Sequence, residues 1–232
     1  MSAAVRVASD ASTKTAASAK TAATAAAATT LGLAGVSWVF AVRHMNGMDM
    51  GVATALGSIG FFLGAWVLMM TAMMLPGAVP VVFRLVGRTG RPRTLPFFLA
   101  SYLAVWTVFG LAVYTLYRPH GTVAAGLVAI AAGVYEFTPL KQFFRRRCHQ
   151  EVNTGFEYAL YCIGSTIGLM ALLIAVAVMS VTWMGLIAAV VLGQKLLPAT
   201  ARIDLLLGLA MVGLGILILL APSAVPGLTP PM

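Results

Sequence analysis

Charged side chains are scarce in this chain of 232 residues: Asp, Glu, Lys and Arg make up 9% of it, whereas hydrophobic residues make up 60%. A soluble globular domain usually carries about 25% charged residues. Apolar runs fill most of residues 31–221. The composition therefore excludes a soluble globule with a single anchor, and it predicts an all-α, polytopic bundle of membrane-spanning helices.

Cysteines, histidines and catalytic motifs are also few. The two cysteines, Cys148 and Cys162, allow neither a disulfide framework nor a paired CxxC metal site. Three histidines, expected on both sides of the membrane, do not make a catalytic cluster. The chain has no Ser/His/Asp pattern, phosphate-binding glycine loop or HExxH motif. We therefore expect no active site of its own, whether the protein acts alone or as a subunit of a membrane enzyme.

Seven apolar stretches predict seven spans, at about residues 21–42, 55–83, 96–117, 122–140, 158–179, 183–197 and 203–221. The sixth is short, because a spanning helix needs about 20 residues, so we expect it to be tilted or partly re-entrant. Residues 1–20 form a low-complexity Ala/Ser/Thr tail, expected to be disordered when alone. Its composition, interrupted by Asp10, argues against a signal peptide. The bundle then occupies 21–222, followed by a short tail at 223–232.

The distribution of positive charge predicts the orientation. With the N-terminus in the cytoplasm, every Lys and Arg except Arg43 and Arg118 falls in a cytoplasmic segment, as the positive-inside rule requires. The net charge of +9 therefore needs no nucleic acid to explain it. The expected partners are the lipid bilayer and other membrane protein subunits, and the run Arg145–Arg147 would suit anionic headgroups.

The predicted external loop after the first span is the first candidate for a metal site. It contains one imidazole, three thioethers and one carboxylate: His44, Met45, Met48, Asp49 and Met50. Thioethers suit Cu(I), while imidazole and carboxylate also accept Cu(II). The alternative is that these methionines are interfacial hydrophobes and that His44 lies at the headgroup level.

The second candidate is a group of thioethers in the second span, formed by Met69, Met70, Met73 and Met74. Residues three and four apart share a helix face, so two stripes of sulfur could form a ladder for Cu(I). Packing of helices by flexible side chains is the alternative, which the residue pattern alone favours. Pro76 and Pro80 should bend the inner end of this helix and free backbone carbonyls.

The third candidate is the inner end of the bundle, where the predicted topology gathers Glu136, Thr138, Pro139, Lys141, Cys148, His149, Cys162, Gln194 and Lys195. A charged group near the membrane boundary is a functional candidate by default. The alternative, which we favour, is an ion pair of Glu136 with Lys141 or Lys195 that holds helices together. A closed zinc site requires four ligands, and these residues do not supply them.

Several segments resemble, in their order, a family of bacterial integral membrane proteins regarded as metal-binding and copper chaperone-like. They are HMNGMDM at 44–50, AWVLMMTAMMLPGAVP at 65–80, SYLAVWTVFG at 101–110, AAGVYEFTPLK at 131–141, LYCIGS at 160–165, VMSVTWM at 178–184 and QKLLP at 194–198. The resemblance covers about residues 36–221. It implies a multi-pass protein of the bacterial plasma (inner) membrane.

The chain departs from this family where soft ligands are expected at the inner end. The resemblance implies a pair of cysteines after TPLK and a cluster of the type CLGCCW at the start of the fifth span. Here only Cys148 and Cys162 remain, with Ser165 and Thr166 in the other positions of the cluster. Gln194 stands where the family has an acidic residue. We therefore expect this member to have lost an inner metal site.

Two hypotheses follow. The first is a non-catalytic accessory or scaffold subunit of a larger membrane complex, such as a copper-dependent monooxygenase, that assists copper handling at the outer face. The second is a stand-alone copper chaperone or transporter that uses the outer loop and the methionine-rich second span.

Overall fold

The computed structural model describes residues 2–45, 56–150, 152–177, 180–197, 203–225 and 228. Within them the protein is all-helical, with eight α-helices: α1 Ser2–Met45, α2 Ile59–Thr89, α3 Thr94–Leu116, α4 Thr122–Glu136, α5 Pro139–His149, α6 Gly155–Ala177, α7 Val181–Leu196 and α8 Ile203–Leu220. A short 3-10 turn, Pro222–Ala224, follows α8. The predicted all-α class is confirmed.

Five of these helices, α1, α2, α3, α6 and α8, are long and apolar enough to cross a membrane. The pair α4 and α5 passes the same test together but bends by 64° between them, which brings the number to as many as six within the described residues. Helix α7, the predicted sixth span, is apolar but has only 16 residues. The structure thus supports a multi-pass membrane protein, whereas the count of seven remains a prediction.

Helix α1 includes the residues that we expected to be a tail. The helix is continuous from Ser2 to Met45, in keeping with the high helix propensity of alanine. Its buried positions include Ala23, Ala26, Thr30 and Ala34. This spacing of three and four residues makes one face of small side chains, and α1 packs closely along α2.

Helix α2 is the centre of the bundle. Ser58 accepts a hydrogen bond from the Phe61 amide at its start, and the helix continues through Pro76 and Pro80 to Thr89. Gly90 ends it with a φ of 61°, and its amide donates to the Val86 carbonyl. A positive φ favours glycine, so this residue fixes the end of α2, six residues beyond the predicted end of the span.

The fourth predicted span divides in two. Helix α4 ends at Glu136, and Thr138 caps α5 by accepting a hydrogen bond from the Lys141 amide at 3.3 Å. A threonine cap followed by proline is a typical start of a helix. The region after the fourth predicted span therefore begins with the short helix α5, which has Lys141, Arg145 and Cys148 on its buried face.

Helices α4 and α8 lie in close antiparallel contact through four glycines, Gly126 and Gly133 of α4 and Gly208 and Gly215 of α8, here called the glycine seam. A Cβ built on Gly126 would lie 3.1 Å from the Gly215 carbonyl oxygen, and one on Gly133 would lie 2.9 Å from that of Gly208. Small residues of this kind let two helix backbones approach in a membrane.

Candidate functional site

The four methionines of α2, here called the methionine cluster, all lie in the core. Met69, Met70, Met73 and Met74 are each at most 2% exposed. Helices α1, α3 and α7 pack on α2. Burial on this scale leaves the sulfur atoms out of contact with bulk lipid, so both Cu(I) ligation and helix packing remain as roles for them.

The outer candidate is described only in part. His44 is exposed, and its ring stacks on Phe61 with centroids 4.7 Å apart. Met45, next to it, is 2% exposed and belongs to the core. Met48, Asp49 and Met50 lie outside the described residues, so the proposed grouping of ligands in this loop stays a prediction. The ring stack does place the end of α1 against the start of α2.

The third candidate is brought together as the topology predicts. The carboxyl ends of α4, α5 and α7 meet the amino ends of α6 and α8, beside the last part of α2. We call this the polar end of the bundle. It holds two adjoining networks, one of ion pairs and one of sulfur, hydroxyl and amine groups.

The first network contains two carboxylates and two cations on three helices. The Lys141 ammonium pairs with Glu136 and lies 3.5 Å from Asp204 Oδ1, while Arg145 Nη1 donates to Asp204 Oδ2 at 2.6 Å. The amide of Gln194 donates to both acids, at 3.2 Å and 3.0 Å. The formal charges cancel, so burial of these ionised groups is compensated.

The sequence offered Lys141 or Lys195 as the partner of Glu136, and the structure pairs Glu136 with Lys141. Sequence analysis missed Arg145, which we interpreted as part of a lipid-facing run, and Asp204. A signal was present for Asp204, because an acid at the start of an otherwise apolar helix calls for a partner. Its partner, Arg145, is 59 residues away and could not be identified from spacing.

The second network surrounds Lys195. Its ammonium donates to Cys148 Sγ and to Ser165 Oγ, both at 3.2 Å, and lies 5.4 Å from the centroid of the Tyr158 ring. Cys162 is buried on the neighbouring turn of α6, with its sulfur 3.3 Å from the Tyr102 hydroxyl. The Cys148 sulfur is thus in direct contact with a positive charge.

A cavity of about 170 Å³ opens beside this network. Its walls come from α2, α5, α6 and α7, and include Gly77, Arg84, Tyr158 and Lys195. The Tyr158 hydroxyl donates to the Gly77 carbonyl at 3.0 Å, within the stretch of α2 that lies between its two prolines. The proline-containing part of α2 is therefore anchored to α6 by one buried hydrogen bond.

Replacing Tyr158 with phenylalanine should lower the free energy of unfolding by about 1 kcal/mol, because a buried hydrogen bond is lost while the ring is kept. Tyr161→Phe is the matched control on the same helix, since Tyr161 is only partly buried and no hydrogen bond is described for its hydroxyl. Titration with SDS in mixed micelles measures both. Equal stability of the two variants would contradict the anchoring role.

Several donor groups of the polar end are engaged with neighbouring side chains. Among the described residues no group of three or more His, Cys, Asp or Glu side chains could hold a metal ion. The carboxylates are engaged with cations and the thiols with hydroxyl and amine groups. The soft donors left without such partners are thioethers, which suit Cu(I).

Buried thioethers in a bundle of apolar helices define a class: a multi-pass membrane protein with soft sulfur donors in its core. The comparison with known families makes this specific. A family described as "PpoB2: Copper chaperone" matches residues 63–218, and the chain belongs to this family. No curated protein and no solved structure matches the chain.

The matched residues begin within α2 and end within α8. They include the methionine cluster and both networks of the polar end, whereas helix α1 and the outer loop lie before them. The resemblance inferred from sequence is therefore confirmed for 63–218.

Proposed function

We propose that this protein is a copper chaperone of the bacterial plasma membrane that carries Cu(I) on the thioether sulfurs of the methionine cluster and has no catalytic activity. The observation that supports it is the burial of four thioethers on two adjoining faces of α2, at most 2% exposed, inside the stretch shared with the copper chaperone family. Thioethers do not titrate near neutral pH and prefer Cu(I) to harder ions.

The proposed path starts at the outer face. With the N-terminus in the cytoplasm and seven spans, His44 and Met45 lie outside, next to the start of α2. Met69 follows Phe61 by eight residues, or about 12 Å at the helical rise of 1.5 Å per residue. We propose that the outer loop captures copper through His44, Met45, Met48, Asp49 and Met50. The methionine cluster then holds it by exchange between neighbouring sulfurs.

A Cu(I) titration tests this proposal. Purified protein in mild detergent, kept reduced, competes with a chromophoric Cu(I) chelator. The variant Met69→Leu/Met70→Leu/Met73→Leu/Met74→Leu should bind copper at least about tenfold more weakly, because leucine keeps the apolar volume and removes the donor atom. The matched control is Met170→Leu/Met184→Leu/Met211→Leu, in which the methionines are equally buried but lie on three other helices.

If the α2 variant binds copper with unchanged affinity and circular dichroism shows an intact fold, the methionine cluster serves only to pack the helices. A drop of the same size in the control would show that any buried thioether in the core suffices. Loss confined to a variant of His44, Met48 and Met50 would locate capture in the outer loop alone.

A second function is an accessory or scaffold subunit of a larger membrane complex, such as a copper-dependent monooxygenase. The observation that favours it is the polar end, where Lys195 engages Cys148 and the carboxylates are paired, leaving no continuous path of free ligands to the inner face. Purification in mild detergent, with mass spectrometry of bound subunits, tests it. Stoichiometric enzyme subunits would support it, and a lone protein carrying copper would support the chaperone.

A further inference from the structure

A groove of about 860 Å³ lies at the polar end, away from both networks. It runs between the turn that joins α2 to α3 and the start of α6. Arg91 and Arg93 lie at one side of it, and Phe97 and Phe156 line it deeper along α3 and α6. A cavity of this size is within the range of sites that bind small molecules.

The two parts of the groove differ in chemistry. Arg91 and Arg93 are exposed, no carboxylate lines the groove, and neither guanidinium forms an ion pair within the described residues. Phe97 is 77% exposed and Phe156 is 56% exposed. Positive charge thus adjoins exposed aromatic surface in one groove.

The turn that carries the arginines is held in place. The Thr94 hydroxyl and amide both donate to the Arg91 carbonyl, at 2.8 Å and 3.1 Å, and Pro92 separates the two arginines. At the far side, a Cβ built on Gly155 would lie 1.9 Å from the Phe98 carbonyl oxygen. The missing side chain therefore lets α6 start directly against α3, which sets this side of the groove.

The groove also lies where apolar helices end and begin. Helix α2 ends at Thr89, α3 begins at Thr94 and α6 begins at Gly155, so the arginines stand where apolar spans end. Phe97 and Phe156 lie within the first turns of the two spans that begin there. The amino ends of α3 and α6 add partial positive charge on the same side. A phospholipid would match this arrangement, with its phosphate at the arginines and its acyl chains along the aromatic side chains.

We propose that this groove binds one anionic diacyl phospholipid, with its phosphate on Arg91 and Arg93 and its acyl chains along Phe97 and Phe156. Two arginines favour an anionic headgroup over a zwitterionic one because the latter carries no net charge. The bound lipid would tie the α2–α3 turn to α6. The proposal does not depend on copper binding.

Native mass spectrometry of the full-length protein tests it, with phosphatidylglycerol and phosphatidylcholine of the same acyl chains added in equal amounts. One phosphatidylglycerol should bind preferentially. The variant Arg91→Gln/Arg93→Gln should bind it about 30-fold more weakly, or about fivefold per arginine. Arg146→Gln/Arg147→Gln removes the same charge from exposed residues of α5, outside the groove, and should bind as the parent does.

The variant Phe97→Ser/Phe156→Ser separates the lipid from free phosphate. It should weaken phosphatidylglycerol binding about tenfold, since apolar contact with the acyl chains is lost. If both arginine-pair variants lose the same affinity for phosphatidylglycerol, the effect is one of general surface charge and the proposed site is wrong. Competition by inorganic phosphate, together with unchanged binding to the phenylalanine variant, would show that the arginines bind phosphate and not a lipid.

Discussion

Lys141→Met should lower the free energy of unfolding by about 3–5 kcal/mol, since removing one partner of a buried ion pair leaves the other charge uncompensated. Lys141 is 0% and Glu136 1% exposed, and the ammonium also lies 3.5 Å from Asp204. Without it, Glu136 keeps only the amide of Gln194. The measurement is SDS titration in mixed micelles, followed by circular dichroism.

The double variant Glu136→Met/Lys141→Met distinguishes a buried charge from a lost contact. It removes both ions and should recover most of the lost stability, because apolar residues of similar volume replace buried ion pairs at little cost or even with gain. Arg146→Met, on the exposed face of the same helix, should change stability by less than about 0.5 kcal/mol. If the double variant is as unstable as the single one, the pair holds the bend by its geometry and not by its charge balance.

The main features of the fold could be predicted from the sequence because they rest on local properties. Apolar runs of sufficient length predicted the apolar parts of the long helices, although residues 2–20 of α1 were expected to be a disordered tail. Lys141 and Lys195 were both predicted as partners of Glu136, and the structure pairs it with Lys141, five positions away. The bend between α4 and α5 also had a local signal, the Thr138-Pro139 cap. We missed it by giving more weight to the polarity of the segment that follows.

The rest of the polar end depends on contacts between distant segments. Lys195 reaches Cys148 over 47 residues, and Tyr158 reaches Gly77 over 81. No periodicity within one helix shows which side chain of another helix it will face. The cysteines were correctly grouped with Glu136 and Lys195 at one end of the bundle, but the lysine that engages one of them needed the packed structure.

Substitutions at and beside the glycine seam are expected to have the second large effect. Alanine should change the free energy of unfolding in opposite directions at Gly215 and at Gly213, two residues away on α8. A Cβ on Gly215 would lie 2.8 Å from the Gly126 carbonyl oxygen and 2.9 Å from the Ile130 amide nitrogen. Backbone atoms cannot rotate away, so Gly215→Ala forces α4 and α8 apart. We expect a loss of about 1–3 kcal/mol in the free energy of unfolding. Adding Gly133→Ala should increase the loss, because it acts on the other end of the same contact.

Gly213, on the same helix, is the matched control. Nothing lies within 4 Å of a Cβ built there, so Gly213→Ala should be neutral or stabilising by up to about 1 kcal/mol, the helix-propensity advantage of alanine over glycine. Helix propensity alone would make both substitutions stabilising, whereas close packing at the seam makes only Gly215→Ala destabilising. SDS titration of the two variants decides between these accounts. A stabilised Gly215→Ala protein would mean that α4 and α8 are not in contact at this glycine.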